Sequence, residues 1–188
     1  GRAFIAGADI SEFGGNVEGI SLNEVFKKLE HCSKPVVAAI NGIALGGGLE
    51  TALCCNYRIA ANTAFVGLPE VNLGLLPGGG GTQRLPRLAG PSEALKMMLT
   101  GGHIPAKKAL DMGILDSISE NVVEDSIKFA IEKAESSEQH PKVRDLNEKM
   151  IEARGNDKIL LEAQAMASKG RKGQFAPGQI IKCVEAAI

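Results

Sequence analysis

An α/β core followed by an all-helical C-terminal region is the architecture the sequence predicts, and three observations carry it. Up to about residue 118, short runs of strand formers alternate with helically spaced apolar stripes, the pattern of α/β proteins. Within that part, Val36 to Ile40 runs into Asn41-Gly42-Ile43-Ala44-Leu45-Gly46-Gly47-Gly48-Leu49-Glu50, which reads as a strand, a bare turn and a helix start. Beyond Glu120 the alternation stops: Val123, Ile127, Ala130 and Ala134 fall at helical spacing, as do Ile180, Val184 and Ala187. The expected division is 1–118 for the core and 119–188 for the helical region.

In order along the chain, Ala3 to Ala6 reads as a strand entering the turn Gly7-Ala8-Asp9-Ile10, and Phe13 to Ser21 as a glycine-containing loop. Ser21 with Glu24 forms a capping box, opening a helix with Leu22, Val25, Phe26 and Leu29 on its apolar stripe and Lys27, Lys28 and Glu30 on the polar side. Pro35 ends that helix and admits the strand Val36 to Ile40. A buried helix is expected from Leu49 to about Asn56, then strands at Tyr57 to Ala60 and Ala64 to Val66. Leu68 to Gly81, dense in glycine and proline, suits a loop wall around a pocket. Helices follow at Gln83 to Leu88, Ser92 to Leu99 and Ala106 to Met112, and a strand at Ile114 to Ile118. Lys142 to Arg154 and Lys158 to Lys169 read as charged surface helices separated by Gly155-Asn156-Asp157. Pro177 suits the first turn of the last helix.

Composition narrows the function classes. The 188 residues suffice for one domain with a substantial core, and a net charge of −1 gives no support to nucleic-acid or membrane-surface binding. Aromatic residues make up only 4% with no Trp, so stacking platforms for bases are not apparent. Cys32, Cys54, Cys55 and Cys183 lack CxxC spacing and read as reduced, mostly buried thiols of an intracellular protein, with no metal site expected. No apolar run approaches the roughly 20 residues of a membrane span. The chain opens without Met at Gly1-Arg2-Ala3-Phe4-Ile5, in what reads as the middle of a strand, so a piece of a longer protein is expected.

The glycine stretch has two possible uses. Its residues allow positive φ and close approach of another group, and the first turn of the helix leaves N–H groups unpaired at a partially positive end. Oxygens that become anionic during a reaction are stabilised there. With the helix starting at the glycines, Glu50 shares a face with those amides. A base beside an oxyanion site suits chemistry on a carbonyl compound; tight packing with a solvated Glu50 explains the same residues equally well.

Three further segments decide between them. Phe4-Ile5-Ala6-Gly7-Ala8-Asp9-Ile10, Lys34-Pro35-Val36-Val37-Ala38-Ala39-Ile40-Asn41-Gly42, and Gly67-Leu68-Pro69-Glu70 onward to Gly81-Thr82-Gln83-Arg84-Leu85 together resemble the crotonase superfamily, in particular enoyl-CoA hydratases, closely over residues 1 to 118. The resemblance implies a crotonase-like ββα spiral core, incomplete at its N-terminus, and an activity: reversible syn addition of water to a trans-2-enoyl-CoA, giving a 3-hydroxyacyl-CoA in fatty-acid β-oxidation.

By the same resemblance, the amides of Ala8 and Gly47 bind the thioester oxygen, Glu50 orients and deprotonates water, and Glu70 supplies the C2 proton. Ala6, Gly7, Asp9, Ile10, Gly46, Pro69, Leu76 and Gly78 fall at substrate-binding positions, with Asp9 fixing the oxyanion turn. Two carboxylates this close should titrate together. No metal or redox cofactor is implied, coenzyme A being part of the substrate. Arg84 and Arg87 are read as solvated.

Lys169-Gly170-Arg171-Lys172-Gly173-Gln174-Phe175-Ala176-Pro177 looks like the segment closing the hydratase part of multifunctional β-oxidation enzymes. It implies fusion to a 3-hydroxyacyl-CoA dehydrogenase part, beside which a homo-oligomer is the other expected assembly. The implied location is intracellular: cytoplasmic, or peroxisomal or mitochondrial in a eukaryote. Rival readings are an enoyl-CoA isomerase, which can work with the second glutamate alone, and a non-catalytic crotonase-fold binding module, for which the single pair Lys27-Lys28 is too little basic surface. A peptidase of related fold would want a serine where Leu49 and Glu50 stand.

Overall fold

The computed structural model describes residues 3–9 and 19–188. Its strands divide between two sheets. β1 (Ala3–Ile5), β3 (Ile43–Leu45), β5 (Phe65–Gly67) and β6 (Ile104–Pro105) form one in that order, the first three parallel and β6 antiparallel to β5. β2 (Val37–Ile40), β4 (Tyr57–Ala61) and β7 (Ser117–Ser119) form the other, all parallel. From β1 to β5 successive strands alternate between the sheets: β2 is followed by β3 and the helix α2 (Gly47–Cys54), and β4 by β5 and the 3-10 turn Pro69–Leu73. This repeated ββα winding is the crotonase-type spiral.

Sequence chemistry accounts for the elements near the site. α1 (Leu22–Glu30) starts with both halves of the capping box, Ser21 with the Glu24 backbone and the Glu24 carboxylate with the Ser21 backbone. α2 begins at Gly47, two residues earlier than the side chains suggested, because Gly46 at φ 54° turns the chain in a conformation that favours glycine. The Gly46 N–H is taken by the Gly67 carbonyl at 2.9 Å. Gly48 lies so close to β1 that a Cβ there would collide with the Ile5 carbonyl. The buried face of α2, with Leu49, Ala52 and Leu53 wholly inaccessible, joins Ile40, Ala44 and Val66 in the core.

α3 (Gly81–Ala89) and α4 (Pro91–Thr100) continue the core, and α5 (Ala106–Asp111) leads toward β7. The C-terminal helices α6 (Val122–Glu135), α7 (Glu148–Ala153), α8 (Asp157–Gly170) and α9 (Ala176–Glu185) follow, with α8 and α9 packed on α4. Val122, Met150, Ala163, Ile180, Ile181 and Val184 are among their buried residues.

Several expectations are corrected. Ile114 and Leu115 are buried in a turn, and the strand begins only at Ser117, because Arg58 beneath them donates to the Ile114 carbonyl at 2.8 Å and pairs with Asp116 at 3.0 Å. The expected helix Lys142 to Arg154 is a short 3-10 turn, Val143–Asp145, and then α7. Of the cysteines, Cys54 and Cys55 are buried, Cys183 is half-buried and Cys32 is exposed; all four are free thiols. Glu30, assigned to the polar side of α1, is 2% exposed. Arg84 and Arg87 are half-buried rather than solvated. Arg87 donates to the Leu146 carbonyl and the Asn147 side chain, and Arg84 is the partner of Glu30. Among the described residues no helix is long and apolar enough to cross a membrane.

Candidate active site

The turn after β1, the start of α2, the 3-10 turn and the glycine loop before α3 meet around a cavity of about 350 Å³. Its walls bring together Ala6, Gly7, Ala8, Gly46, Gly47, Glu50, Pro69, Glu70, Leu76 and Gly78. These are the expected site residues apart from two. Asp9 is exposed and, among the described residues, does not line the cavity; Ile10 lies outside the described residues. Leu22, Leu73, Leu75 and Gly79 complete the wall.

Two amides open onto this space. With the Gly46 N–H committed to Gly67, the first uncommitted N–H of α2 is that of Gly47, at the positive end of the helix dipole. A Cβ on Gly47 would lie 3.9 Å from the Ala8 nitrogen, so the second donor is adjacent. Neither amide has an acceptor among the described residues. The pair can hold one oxygen as negative charge develops on it.

The two carboxyls stand in different surroundings. Glu50 is 3% exposed, and its Oε1 accepts from the Gly81 N–H at 2.8 Å. Burial raises its pKa above the ordinary carboxylate value, while the amides of Gly81 and Gly79 and the charge of Arg84 act in the opposite direction by stabilising the anion. Glu70 has weaker compensation. Its Oε2 is buried without a hydrogen-bond partner among the described residues, and burial pushes its pKa up to about 7, with the charge on Glu50 adding to the rise. Near neutrality Glu70 is therefore within reach of protonation, while the donors around Glu50 support its anion against the rise that burial causes.

The glycine loop determines where Glu50 sits. A Cβ at Gly79 would stand 2.6 Å from both Glu50 Oε2 and a ring carbon of Phe26, and one at Gly81 would stand 3.0 Å from Glu50 Oε1. Reading the sequence identified this loop as a pocket wall but not the part its amides take in holding Glu50. The run Gly78 to Gly81 was the available signal, since consecutive bare amides after a proline invite an anion. Behind the loop, Arg84 donates from Nε to Glu30 at 2.8 Å and from Nη1 to the Gly79 carbonyl at 2.9 Å. Arg144 reaches the other oxygen of Glu30 at 3.3 Å.

A profile of the enoyl-CoA hydratase/isomerase family matches residues 1–178. The chain belongs to that family. Among its relatives are the peroxisomal bifunctional enzyme of Danio rerio, 43% identical over 98% of this chain, and the fatty acid oxidation complex subunit alpha of Shewanella loihica, 44% identical over 99%. The chain spans 26% and 28% of the length of these two relatives. A solved enoyl-CoA hydratase from Bacillus anthracis superposes with a TM-score of 0.64 at 32% identity, covering 92% of this chain and 76% of that one.

Proposed function

We propose that this chain carries the site of an enoyl-CoA hydratase, adding water reversibly across the double bond of a trans-2-enoyl-CoA. The observation that carries the reading is the convergence, on one cavity, of two uncommitted amides and two buried carboxyls, of which Glu50 has amide donors for its anion and Glu70 has an oxygen without a partner among the described residues. In the proposed reaction the amides of Ala8 and Gly47 hold the thioester oxygen as it gains charge; loss of one such donor typically costs about 3 to 4 kcal/mol of barrier. Glu50 takes a proton from water, the water oxygen bonds to C3, and Glu70 gives its proton to C2. The pair begins with one proton on Glu70 and ends with one on Glu50, so atoms and charge balance. No electrons pass to or from a carrier, so the step calls for no redox group.

Leu22, Leu73, Leu75 and Leu76 give the cavity an apolar side suited to an acyl chain. The relatives' names, a peroxisomal bifunctional enzyme and a fatty acid oxidation complex subunit, support a fatty-acid oxidation setting, an intracellular location and a larger enzyme of more than one activity. The second activity we propose is that of a 3-hydroxyacyl-CoA dehydrogenase part. Glu70 beside the two amides is also sufficient to shuttle a proton between C2 and C4, so a secondary isomerase activity fits the same site.

The test is substitution in the full-length protein. Glu50→Gln and Glu70→Gln should each lower the hydration rate by at least about 10²-fold while acyl-CoA still binds, because each removes a proton-transfer group and leaves the amides in place. Unchanged turnover in either variant would remove the mechanism.

A further inference from the structure

Glu70 lacks a partner for one carboxyl oxygen among the described residues, so its position depends on how firmly the backbone beneath it is held. That backbone is a 3-10 turn of five residues, Pro69–Leu73, a short element with poor hydrogen-bond geometry of its own. Its outer side rests on the C-terminal end of α4. Gly101 comes so close there that a Cβ would lie 2.7 Å from Asn72 Nδ2.

Arg171, from the connection between α8 and α9, fills the junction. Its Nε donates to the Leu99 carbonyl at 2.8 Å, and its Nη2 donates to the Thr100 carbonyl at 3.1 Å and to Asn72 Oδ1 at 2.5 Å. Its Nη1 donates to the Val71 carbonyl at 3.1 Å. Leu99 and Thr100 belong to the last turn of α4, where carbonyls have no partner within the helix and the dipole is negative, so a cation is favoured there. The planar guanidinium satisfies four acceptors on two elements at once, which a lysine ammonium on a flexible stem cannot match.

We propose that Arg171 is a positioning residue for Glu70: by tying Val71 and Asn72 to the end of α4, it fixes the turn that presents the Glu70 carboxyl to the cavity. This rests on the reading of Glu70 as the C2 acid. Arg171 does not itself line that cavity. It belongs to the segment Lys169 to Pro177, which has no other part in the proposed chemistry.

The experiment compares Arg171→Ala, Arg171→Lys and Glu70→Gln in the full-length protein, following kcat, KM and the pH dependence of kcat/KM for hydration of a trans-2-enoyl-CoA, with thermal unfolding in parallel. Arg171→Ala should lower kcat about 10- to 100-fold, the range expected when a reacting group moves by about 1 Å, with KM changed less than about twofold. Its alkaline limb should move to lower pH, because a loosened turn admits water to the Glu70 carboxyl and relieves the burial that raises its pKa. Arg171→Lys should fall between this variant and the wild type. Wild-type kcat and an unmoved limb in Arg171→Ala would overturn the proposal, as would a loss of activity that tracks only the folded fraction. Should Arg171→Ala fail to fold, the limb and kcat of Arg171→Lys decide in the same way. Full hydration by Glu70→Gln would instead overturn the reading of Glu70, whatever Arg171 does.

Discussion

Glu50 and Glu70 are chemically the same residue, and the proposed reaction needs them to behave differently. The difference is supplied by their neighbours. Glu50 is given amide donors by the glycine loop and a nearby guanidinium, so its anion is supported despite burial. Glu70 is given burial and the adjacent negative charge, with one oxygen unpartnered among the described residues, and its pKa rises to about 7. The pair then holds one proton over an intermediate pH range. Hydration uses that singly protonated state with the proton on Glu70, and dehydration uses the same state with the proton on Glu50. Both directions therefore lose activity when the last proton leaves and again when a second one binds. The sign follows from the raised pKa: activity falls as pH rises through the value for Glu70. None of this difference was legible in the residue names; what the sequence offered was the frame of motifs that put both glutamates at matching positions.

At the scale of elements, the contact between β1 and α2 governs the pair of amides. Gly48 is the point of closest approach, where an added methyl would meet the Ile5 carbonyl and Cβ. Gly48→Ala should therefore cost about 1 to 3 kcal/mol of stability, the usual range for overpacking, measured as a shift of the denaturant midpoint. An unchanged midpoint would show that β1 can move away freely. Elements defined by local chemistry were legible: the Ser21 and Glu24 box placed α1 correctly, and Pro177 placed the start of α9. In the sequence β3 reads as part of the turn, since three residues are too few to show a period and its ladder partners lie in β1 and β5. The start of α2 is hidden for a related reason: glycines carry no side-chain signal, and the tertiary bond from Gly46 to Gly67 sets where the helix begins.

Across the whole molecule, buried charge links the C-terminal region to the site. Glu30 on α1 is inaccessible, and its two oxygens are held by Arg84 on α3 and Arg144 on the 3-10 turn Val143–Asp145. Removing one partner of a buried pair typically costs about 3 to 5 kcal/mol, because a charge is left inside without compensation. Arg84→Ala should fall at the lower end, about 3 kcal/mol, since Arg144 remains; equilibrium unfolding measures it, and an unchanged free energy would show the pair to be idle. Replacing Glu30 and Arg84 together with apolar residues of similar volume should cost much less than Arg84→Ala alone. These links were hidden in the sequence. Glu30 follows two lysines at the end of an amphipathic helix, and its partners stand 54 and 114 residues away. Local spacing assigns such a residue to solvent, and only the packed chain shows what it faces. The α/β core and the C-terminal helices were legible because their periodicities are local, whereas the ion pairs between them are not.

The pH dependence of kcat/KM for hydration, measured on the full-length protein from about pH 5 to about pH 9, tests the shared proton most directly. The account predicts a bell whose alkaline limb lies at about pH 7, falling about tenfold per pH unit beyond it, and which the dehydration direction reproduces. A rate constant that stays level through that range would contradict the pairing of Glu50 and Glu70.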